Sequence, residues 1–142
     1  MSGEAARRAL HAGIAVVSAI ALCACAVAPG PTCKAGEQAM VSDTMYFGAA
    51  MPGGVVSAAQ WSAFVESVVA PRFPRGFTTS DASGRWRSAD GTSVNEASRV
   101  LFIVHAHDEA SESAMRQIAA AYKSQFRQEA VLRVRSDACV SF

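Results

Sequence analysis

The sequence predicts an α+β domain of the ferredoxin-like kind, in which two helices cover one face of a four-stranded antiparallel sheet. Segments with strand and helix periodicity alternate in the order β-α-β-β-α-β. Two cysteines, Cys33 and Cys139, stand just before the first predicted strand and at the end of the last. These two strands are neighbours in this topology, so the element order and the cysteine positions support each other.

The first half of the domain predicts one strand and one helix. Residues 40–51 have strand composition and are ended by a Pro-Gly-Gly turn. Ser57, followed three residues later by Gln60, forms the sequence signature of a capping box at a helix N-terminus. Apolar residues then recur at helical spacing from Trp61 until Pro71 ends the helix.

The second half predicts two strands, a helix and a final strand. Their expected ranges are residues 76–87, 96–106, 109–127 and 131–140. Residues 81–84 are expected to interrupt the first of these strands as a break or bulge. Asp108 is positioned to cap the helix.

The strand around residues 100–104 carries five consecutive apolar residues. A strand exposed on one face should alternate, so both faces of this one are predicted to be dry. In a two-layer fold the face away from the helices then needs a cover. We expect a second copy of the chain, as in the dimeric α/β-barrel variant, or the loop at residues 71–76, or a ligand.

Residues 1–24 predict a signal peptide. Arg7 and Arg8 precede an uncharged core at residues 12–22, and small residues follow. This core is too short for a transmembrane helix, which needs roughly 20 apolar residues. We therefore expect a segment that is removed on export.

The stretch from Leu22 to Cys25 resembles a bacterial lipobox. Cleavage after Ala24 would make Cys25 the first mature residue and the site of lipidation. Several acyl chains would make attachment to the membrane effectively permanent. Ordinary cleavage after Ala26 and free secretion is the alternative. Residues 25–38 are then the lipid attachment and tether, and residues 39–142 form a single domain at the periplasmic or cell-surface side of a membrane.

Both cleavage routes leave Cys33 and Cys139 in the mature chain. In an exported protein an even remainder of cysteines predicts a disulfide, here with one connectivity. Two unpaired buried thiols are the alternative. No Cys-x-x-Cys spacing indicates a metal site.

The charge balance argues against nucleic acid as a partner. The chain has 13 basic and 12 acidic residues, and Arg7, Arg8 and Glu4 belong to the signal segment, which leaves equal numbers. The sequence also contains no G-x-S-x-G elbow and no P-loop. We expect no cofactor, and no catalytic residue is assigned.

The candidate ligand-binding residues are expected on the open sheet face. Arg133 and Arg135 alternate with Leu132 and Val134 on the last strand, so they cannot face the helices if those two apolar residues do. Together with three further residues they would form an apolar floor with a few polar groups. These further candidates are Tyr46, Trp86 and His105. Alternatively, the arginines pair with Glu96 or Asp81.

The run His105-Ala106-His107 places two histidines at alternate positions of a strand, where their side chains would project to one side. A shared metal ion would need a third ligand, which the sequence does not offer nearby. A histidine pair at the strand end without a metal is the prediction.

Short motifs across the mature domain resemble one protein family. They comprise Tyr46-Phe47-Gly48, Trp61-x-x-Phe64, Pro71-Arg72-Phe73-Pro74-x-Gly76-Phe77-Thr78, Gly84-x-Trp86, Asp90-Gly91, Glu96-x-Ser98-x-Val100-Leu101, Tyr122-x-x-x-Phe126-x-Gln128-Glu129 and Val131-Leu132-Arg133. The pattern resembles domain of unknown function 3574, a family of small exported bacterial proteins. Arg75 and Ala130 depart from it, where an acidic residue and a serine would be expected. The family has no established activity, so the resemblance implies a fold and a compartment and transfers no catalytic residue.

From these observations we expect an exported cell-envelope lipoprotein that acts as a small binding or structural accessory domain and forms a homodimer if a second copy covers the sheet. A cofactor-independent enzyme of the dimeric α/β-barrel type, with the open sheet face as its pocket, is the alternative.

Overall fold

Four long strands and two helices make up the described part of the chain, residues 32–87 and 89–142 of a computed structural model. In chain order the elements are β1 (Gln38–Gly48), β2 (Ala50–Met51), β3 (Gly54–Val55), α1 (Ala58–Phe64), β4 (Thr78–Arg87), β5 (Ser93–His105), α2 (Glu109–Phe126) and β6 (Leu132–Val140). The predicted signal peptide, the lipidation site at Cys25 and the first part of the tether lie outside the described residues.

The long strands form one antiparallel sheet in the order β4-β5-β1-β6. Met45 on β1 pairs with Leu101 on β5 and with Arg133 on β6, so β1 lies in the interior of the sheet. The predicted pairing of first and last strands is confirmed, as is the α+β class with two helices. The short strands β2 and β3 pair separately as a two-stranded ribbon before α1.

The predicted disulfide is also confirmed. Cys33 and Cys139 are bonded, with Cα atoms 5.5 Å apart and 106 residues apart in the sequence. Cys139 pairs with Ala39 on the neighbouring strand β1, so the strand register brings the bond's two ends together. The bond thus ties the segment leading into β1 to the end of β6.

Both helices begin with the caps that the sequence predicts. The hydroxyl of Ser57 accepts the backbone N–H of Gln60, and the Gln60 side chain accepts the N–H of Ser57, which completes a capping box. α1 continues through a π-helical turn, Val65–Val69, and stops before Pro71. At α2, the Asp108 carboxylate accepts the N–H of Ser111 at 2.7 Å.

The core lies between the helices and one face of the sheet. Phe47 of β1 is at its centre, with ring centroids 5.3 Å from Trp61 of α1 and 4.7 Å from Tyr122 of α2. Leu101 and Ile103 of β5 belong to the same buried cluster. The odd-numbered residues of β1 and β5 therefore face the helices.

The predicted break at residues 81–84 is wrong. β4 pairs with β5 continuously through this segment, where Asp81 lies opposite Arg99 and Gly84 opposite Glu96. The carboxylate of Asp81 forms an ion pair with the Arg99 guanidinium across the two strands. Residues that favour turns remain extended here because β5 supplies hydrogen-bond partners for their backbone groups. It also supplies the ion-pair partner of Asp81.

The sheet face opposite the helices is not covered within one chain. Tyr46, Phe102, Val134 and Leu132 have exposed fractions between 39 and 60%. The loop at residues 71–76 does not cover this face, because Phe73 is buried in the core cluster on the helix side. Of the three predicted covers, a second copy and a ligand remain. No helix in the described ranges is long and apolar enough to cross a bilayer.

Candidate ligand cleft

A cleft of about 530 Å³ opens at the end of the sheet where β1 leaves it. Its walls combine segments from β1, β4, β5, the turn after α2 and the start of β6. The apolar part comprises Tyr46, Met51, Pro52, Val94 and Leu132, and the polar part comprises Arg85, Glu96, Ser98, Arg127, Gln128 and Glu129. Apolar walls with a few polar groups are typical of small-molecule sites.

Gly48 allows Glu96 to lie over the end of β1. A Cβ atom at this glycine would stand 2.5 Å from Glu96 Oε1 and 3.2 Å from Gln128 Oε1, closer than van der Waals contact permits. The other carboxylate oxygen, Glu96 Oε2, accepts the backbone N–H of Ala50 at 3.1 Å. The absence of a side chain at position 48 thus leaves room for an acid that is fixed by the backbone.

The C-terminus of α2 closes the opposite side of the cleft. Arg127 ends the helix in the left-handed conformation, with φ 53° and ψ 44°, which is uncommon for a residue with a side chain. The chain turns back here, and the Gln128 amide donates to the carbonyl of Ala50. Residues 48–50, Glu96 and the turn after α2 are therefore joined by hydrogen bonds.

Tyr122 anchors the same region from the core. Its hydroxyl donates to the carbonyl of Gly48 at 2.8 Å. Burial raises the pKa of Tyr122 to about 12, and the nearby Glu96 carboxylate acts in the same direction. The phenol therefore stays protonated and remains a donor at physiological pH.

Four charged side chains line the cleft: Arg85, Glu96, Arg127 and Glu129. Within residues 32–87 and 89–142, none of the four takes part in an ion pair. Arg85 is held by a hydrogen bond from Nε to the side-chain oxygen of Asn95 at 2.8 Å. The cleft therefore presents both signs of charge without internal neutralisation.

A second polar cluster lies on the helix side of the sheet and is centred on Arg133. Its guanidinium donates to both carboxylate oxygens of Asp43 at 2.6 and 2.7 Å, and to both of Glu112 at 2.6 and 2.8 Å. Asp43 is fully buried. Arg133 thus bridges β1 and α2 by two bidentate ion pairs.

His105 completes this cluster. Its Nε2 lies 2.7 Å from Asp43 Oδ2 and its Nδ1 lies 2.8 Å from the carbonyl of Ala106. His105 thereby links Asp43 of β1 to the end of β5.

The arginine in the cluster shifts the pKa of both carboxylates. Burial acts to raise the pKa of Asp43, but hydrogen bonds from Arg133 and His105 outweigh it and hold the pKa below its usual value. Hydrogen bonds from Arg133 lower the pKa of Glu112 to about 2. The pKa of Arg133 itself is raised by the same bonds. The cluster is therefore charged at neutral pH and has its hydrogen-bonding capacity used internally.

The predicted orientation of the two β6 arginines is wrong. Arg133 and Arg135 point to the helix side, and Leu132 and Val134 are exposed on the open face. The sequence argument assigned the apolar residues to the core, but the buried Asp43 and the partly exposed Glu112 offer acceptors on that side instead. Neither of the predicted partners, Glu96 and Asp81, binds them.

The other predicted site residues are also separated. His105 is buried on the helix side, away from the open face where it was expected. Trp86 lies in β4, and its side chain is outside the described part of the structure. Among the predicted residues whose side chains are described, Tyr46 lines the cleft. His107 lies 3.4 Å from Asp137, so the two histidines contact different carboxylates.

Sequence reasoning did not assign Arg85, Arg127 or Gln128 to a site. A signal for part of the cleft was nevertheless available. Tyr46, Gly48, Glu96, Gln128 and Glu129 all belong to the motifs that carry the family resemblance, and the fold brings all five to one cleft. Their positions in three separate motifs gave no reason to group them before the strand register was known.

Comparisons with known proteins agree with this fold and leave the activity open. The profile described as "Protein of unknown function (DUF3574)" matches residues 42–142. No curated protein sequence gives a significant match. A phage SAM lyase in complex with S-methyl-5'-thioadenosine is similar with a TM-score of 0.54 and 13% identity, over 79% of this chain and 95% of that chain. A phage SAM lyase in the apo state has a TM-score of 0.54 and 14% identity, over 75% of this chain and 91% of that chain. At these identities the similarity concerns the fold alone.

Proposed function

We propose that this chain, which belongs to the DUF3574 family of proteins of unknown function, is an exported, lipid-anchored domain that binds a small molecule at the bacterial cell envelope. The cleft beside Glu96 carries the binding part of this proposal. Its volume of about 530 Å³ lies within the range of roughly 300–1,000 Å³ typical of ligand sites. Its polar groups are held in place by backbone hydrogen bonds before any ligand arrives.

The binding site can be tested by blocking it. Ala130 is exposed and lines the cleft, so Ala130→Trp should fill it without disturbing the core. Ala120→Trp, on an exposed position of α2, is the matched control. Native mass spectrometry of protein purified from an exporting host should show a bound small molecule in the wild type and in Ala120→Trp, and should not show it in Ala130→Trp. Retention of the molecule by Ala130→Trp would contradict binding in the cleft. Failure to find any ligand for the wild type and both variants, either co-purified or in a small-molecule binding screen, would also contradict it.

The anchor rests on the sequence of the first 25 residues. The lipobox ending at Cys25 supports attachment to a membrane through several acyl chains. Intact mass of the mature protein should correspond to a chain that begins at a lipid-modified Cys25. An unmodified chain that begins at another residue would remove the anchor from the proposal and leave a secreted domain.

The ferredoxin-like topology belongs to the same proposal. The order β4-β5-β1-β6 with antiparallel pairing throughout supports it, since the first long strand then has the third and fourth long strands as neighbours.

A second copy of the chain is the proposed cover of the open sheet face. Strand pairing places Thr44 between Phe102 and Val134, so this row, which lies outside the cleft lining, holds no charged residue that would repel an identical face. Four strands about 4.8 Å apart and seven residues long give a flat area of roughly 400 Å². This is small against about 800 Å² per partner in a standard interface, so a weak, micromolar dimer is expected.

Sedimentation velocity tests the dimer. Phe102→Glu should shift the weight-average sedimentation coefficient to that of a monomer, while Ser124→Glu, on an exposed position of α2, should leave it unchanged. A wild type that stays monomeric at 1 mM would exclude the face as a site for a second copy.

The enzyme alternative has less support. It required His105 and Arg133 on the open face, and both are bonded on the helix side.

A further inference from the structure

We infer that the cleft takes a dipolar small molecule of about the size of a dipeptide, with a protonated amine at one end and a carboxylate at the other. This inference rests on the proposed ligand-binding function and specifies the chemistry of its ligand.

The acidic side of the cleft is formed by Glu96. Its Oε2 is bound to the N–H of Ala50, while its Oε1 lies over the bare Cα of Gly48 and has no hydrogen-bond partner in the described ranges. The backbone hydrogen bond fixes the position of the carboxylate. A protonated amine offers three N–H donors to such an oxygen, and a charged pair of this kind is roughly twice as strong as a neutral hydrogen bond.

The basic side is formed by Arg127. The backbone of Arg127 is held at the end of α2, where its N–H donates to the carbonyl of Lys123, and its guanidinium has no partner among the described residues. Arg85 is not part of this side, because it pairs with Asn95, one position from the Gly84–Glu96 pair, so its side chain projects to the opposite face of the sheet from Glu96. A guanidinium presents paired donors that match the two oxygens of a carboxylate.

The two sides do not neutralise each other. Glu96 forms no ion pair with Arg127 although both line one cleft, so their charged atoms lie beyond ion-pair distance. A molecule that carries one charge at each end bridges this gap. The cleft volume of about 530 Å³ has room for a molecule of dipeptide size, and Tyr46 and Leu132 offer apolar contact to its middle.

The same arrangement discriminates against singly charged ligands. An anion without an amine would bury part of Glu96 without a partner, and an amine without an anion would lack the charge-assisted hydrogen bonds that Arg127 offers to a carboxylate. A partly buried charge without a partner is costly, and selectivity of this kind comes from the group that is left unpaired.

Isothermal titration of the purified chain with three matched probes tests the inference. The probes are leucyl-leucine, its N-acetyl derivative, which lacks the amine charge, and its C-terminal amide, which lacks the carboxylate. Leucyl-leucine should bind at least tenfold more tightly than either derivative. Glu96→Gln retains an oxygen for the Ala50 N–H and should abolish the preference over the N-acetyl form. Arg127→Gln keeps a side chain at the left-handed position and should abolish the preference over the amide.

Arg75→Gln serves as the control, since Arg75 is exposed and lies outside the cleft lining; all three affinities should stay unchanged. Equal affinity for the three probes would overturn the dipolar ligand and leave a cleft ligand intact. Failure of all three to bind, while Ala130→Trp still displaces a co-purified molecule, would also overturn the inference alone. If nothing binds and nothing co-purifies, both the inference and the ligand-binding function fail.

Discussion

Replacing Arg133 by methionine should cost this protein much of its stability. The guanidinium makes four charge-assisted hydrogen bonds, two to Asp43 and two to Glu112. Methionine keeps much of the apolar stem and removes all four. Asp43, which is fully buried, would then have His105 as its one described side-chain partner.

The magnitude follows from the burial of the two carboxylates. Removing one partner of a buried ion pair typically costs about 3–5 kcal/mol, because the other charge is left without compensation. Asp43 should approach that cost. The side chain of Glu112 is 24% exposed, so water replaces part of what it loses. We therefore expect a loss of about 3 kcal/mol in the free energy of unfolding, against about 5–15 kcal/mol for a whole domain.

Arg135→Met provides the matched control on the same strand. The Arg135 side chain is 47% exposed and makes one contact of 3.3 Å to Glu112, so its loss should cost about 0–1 kcal/mol. Urea denaturation of the oxidised domain at pH 7, followed by far-UV circular dichroism, measures both variants. If Arg133→Met is no more destabilising than Arg135→Met, the bidentate network does not hold β1, β6 and α2 together as argued.

Three further predictions follow from the described contacts. The pKa of Glu112 is lowered to about 2, so its ion pairs contribute stability that is fully present above pH 4.5 and is lost as the pH falls toward 2. Between these pH values the free energy of unfolding, measured by urea titration, should fall more for the wild type than for Arg133→Met. Cys33→Ser should lower the melting temperature of oxidised protein and leave reduced protein nearly unchanged, because closing a loop of this length is worth up to about 4.7 kcal/mol; equal effects in both redox states would contradict the disulfide. Gly48→Ala should displace the Glu96 carboxylate from its backbone partner at a cost of about 1 kcal/mol and weaken ligand binding in titration calorimetry. Gly84→Ala, whose new Cβ would lie 3.4 Å from the nearest side-chain atom, should not carry this stability cost.

Most of the fold could be predicted from local patterns. Caps at Ser57 and Asp108 placed both helix starts because a capping bond involves residues three positions apart. The continuous strand β4 was mispredicted because its residues form turns when they stand alone, and it is the partner strand β5 that keeps them extended.

The candidate site was predicted poorly for a related reason. The hydropathy pattern of β6 predicted that Leu132 and Val134 face the core and that Arg133 faces outward. This prediction would be correct if the helix side of the sheet offered the guanidinium no hydrogen-bond acceptor. The buried Asp43 and the partly exposed Glu112 reverse the preference, because an arginine with two bidentate carboxylates is stable where an unpaired one is not.

By itself, the sequence determined the order of the elements, the disulfide partners and the apolar core, because these depend on short-range periodicity, caps and a count of cysteines. The tertiary structure decided which face of β6 is buried, and it assembled the cleft from Gly48, Glu96, Arg127 and Gln128. These features depend on strand register and on a left-handed turn at the end of α2. Both bring together side chains that lie far apart in the chain, and no local pattern encodes that proximity.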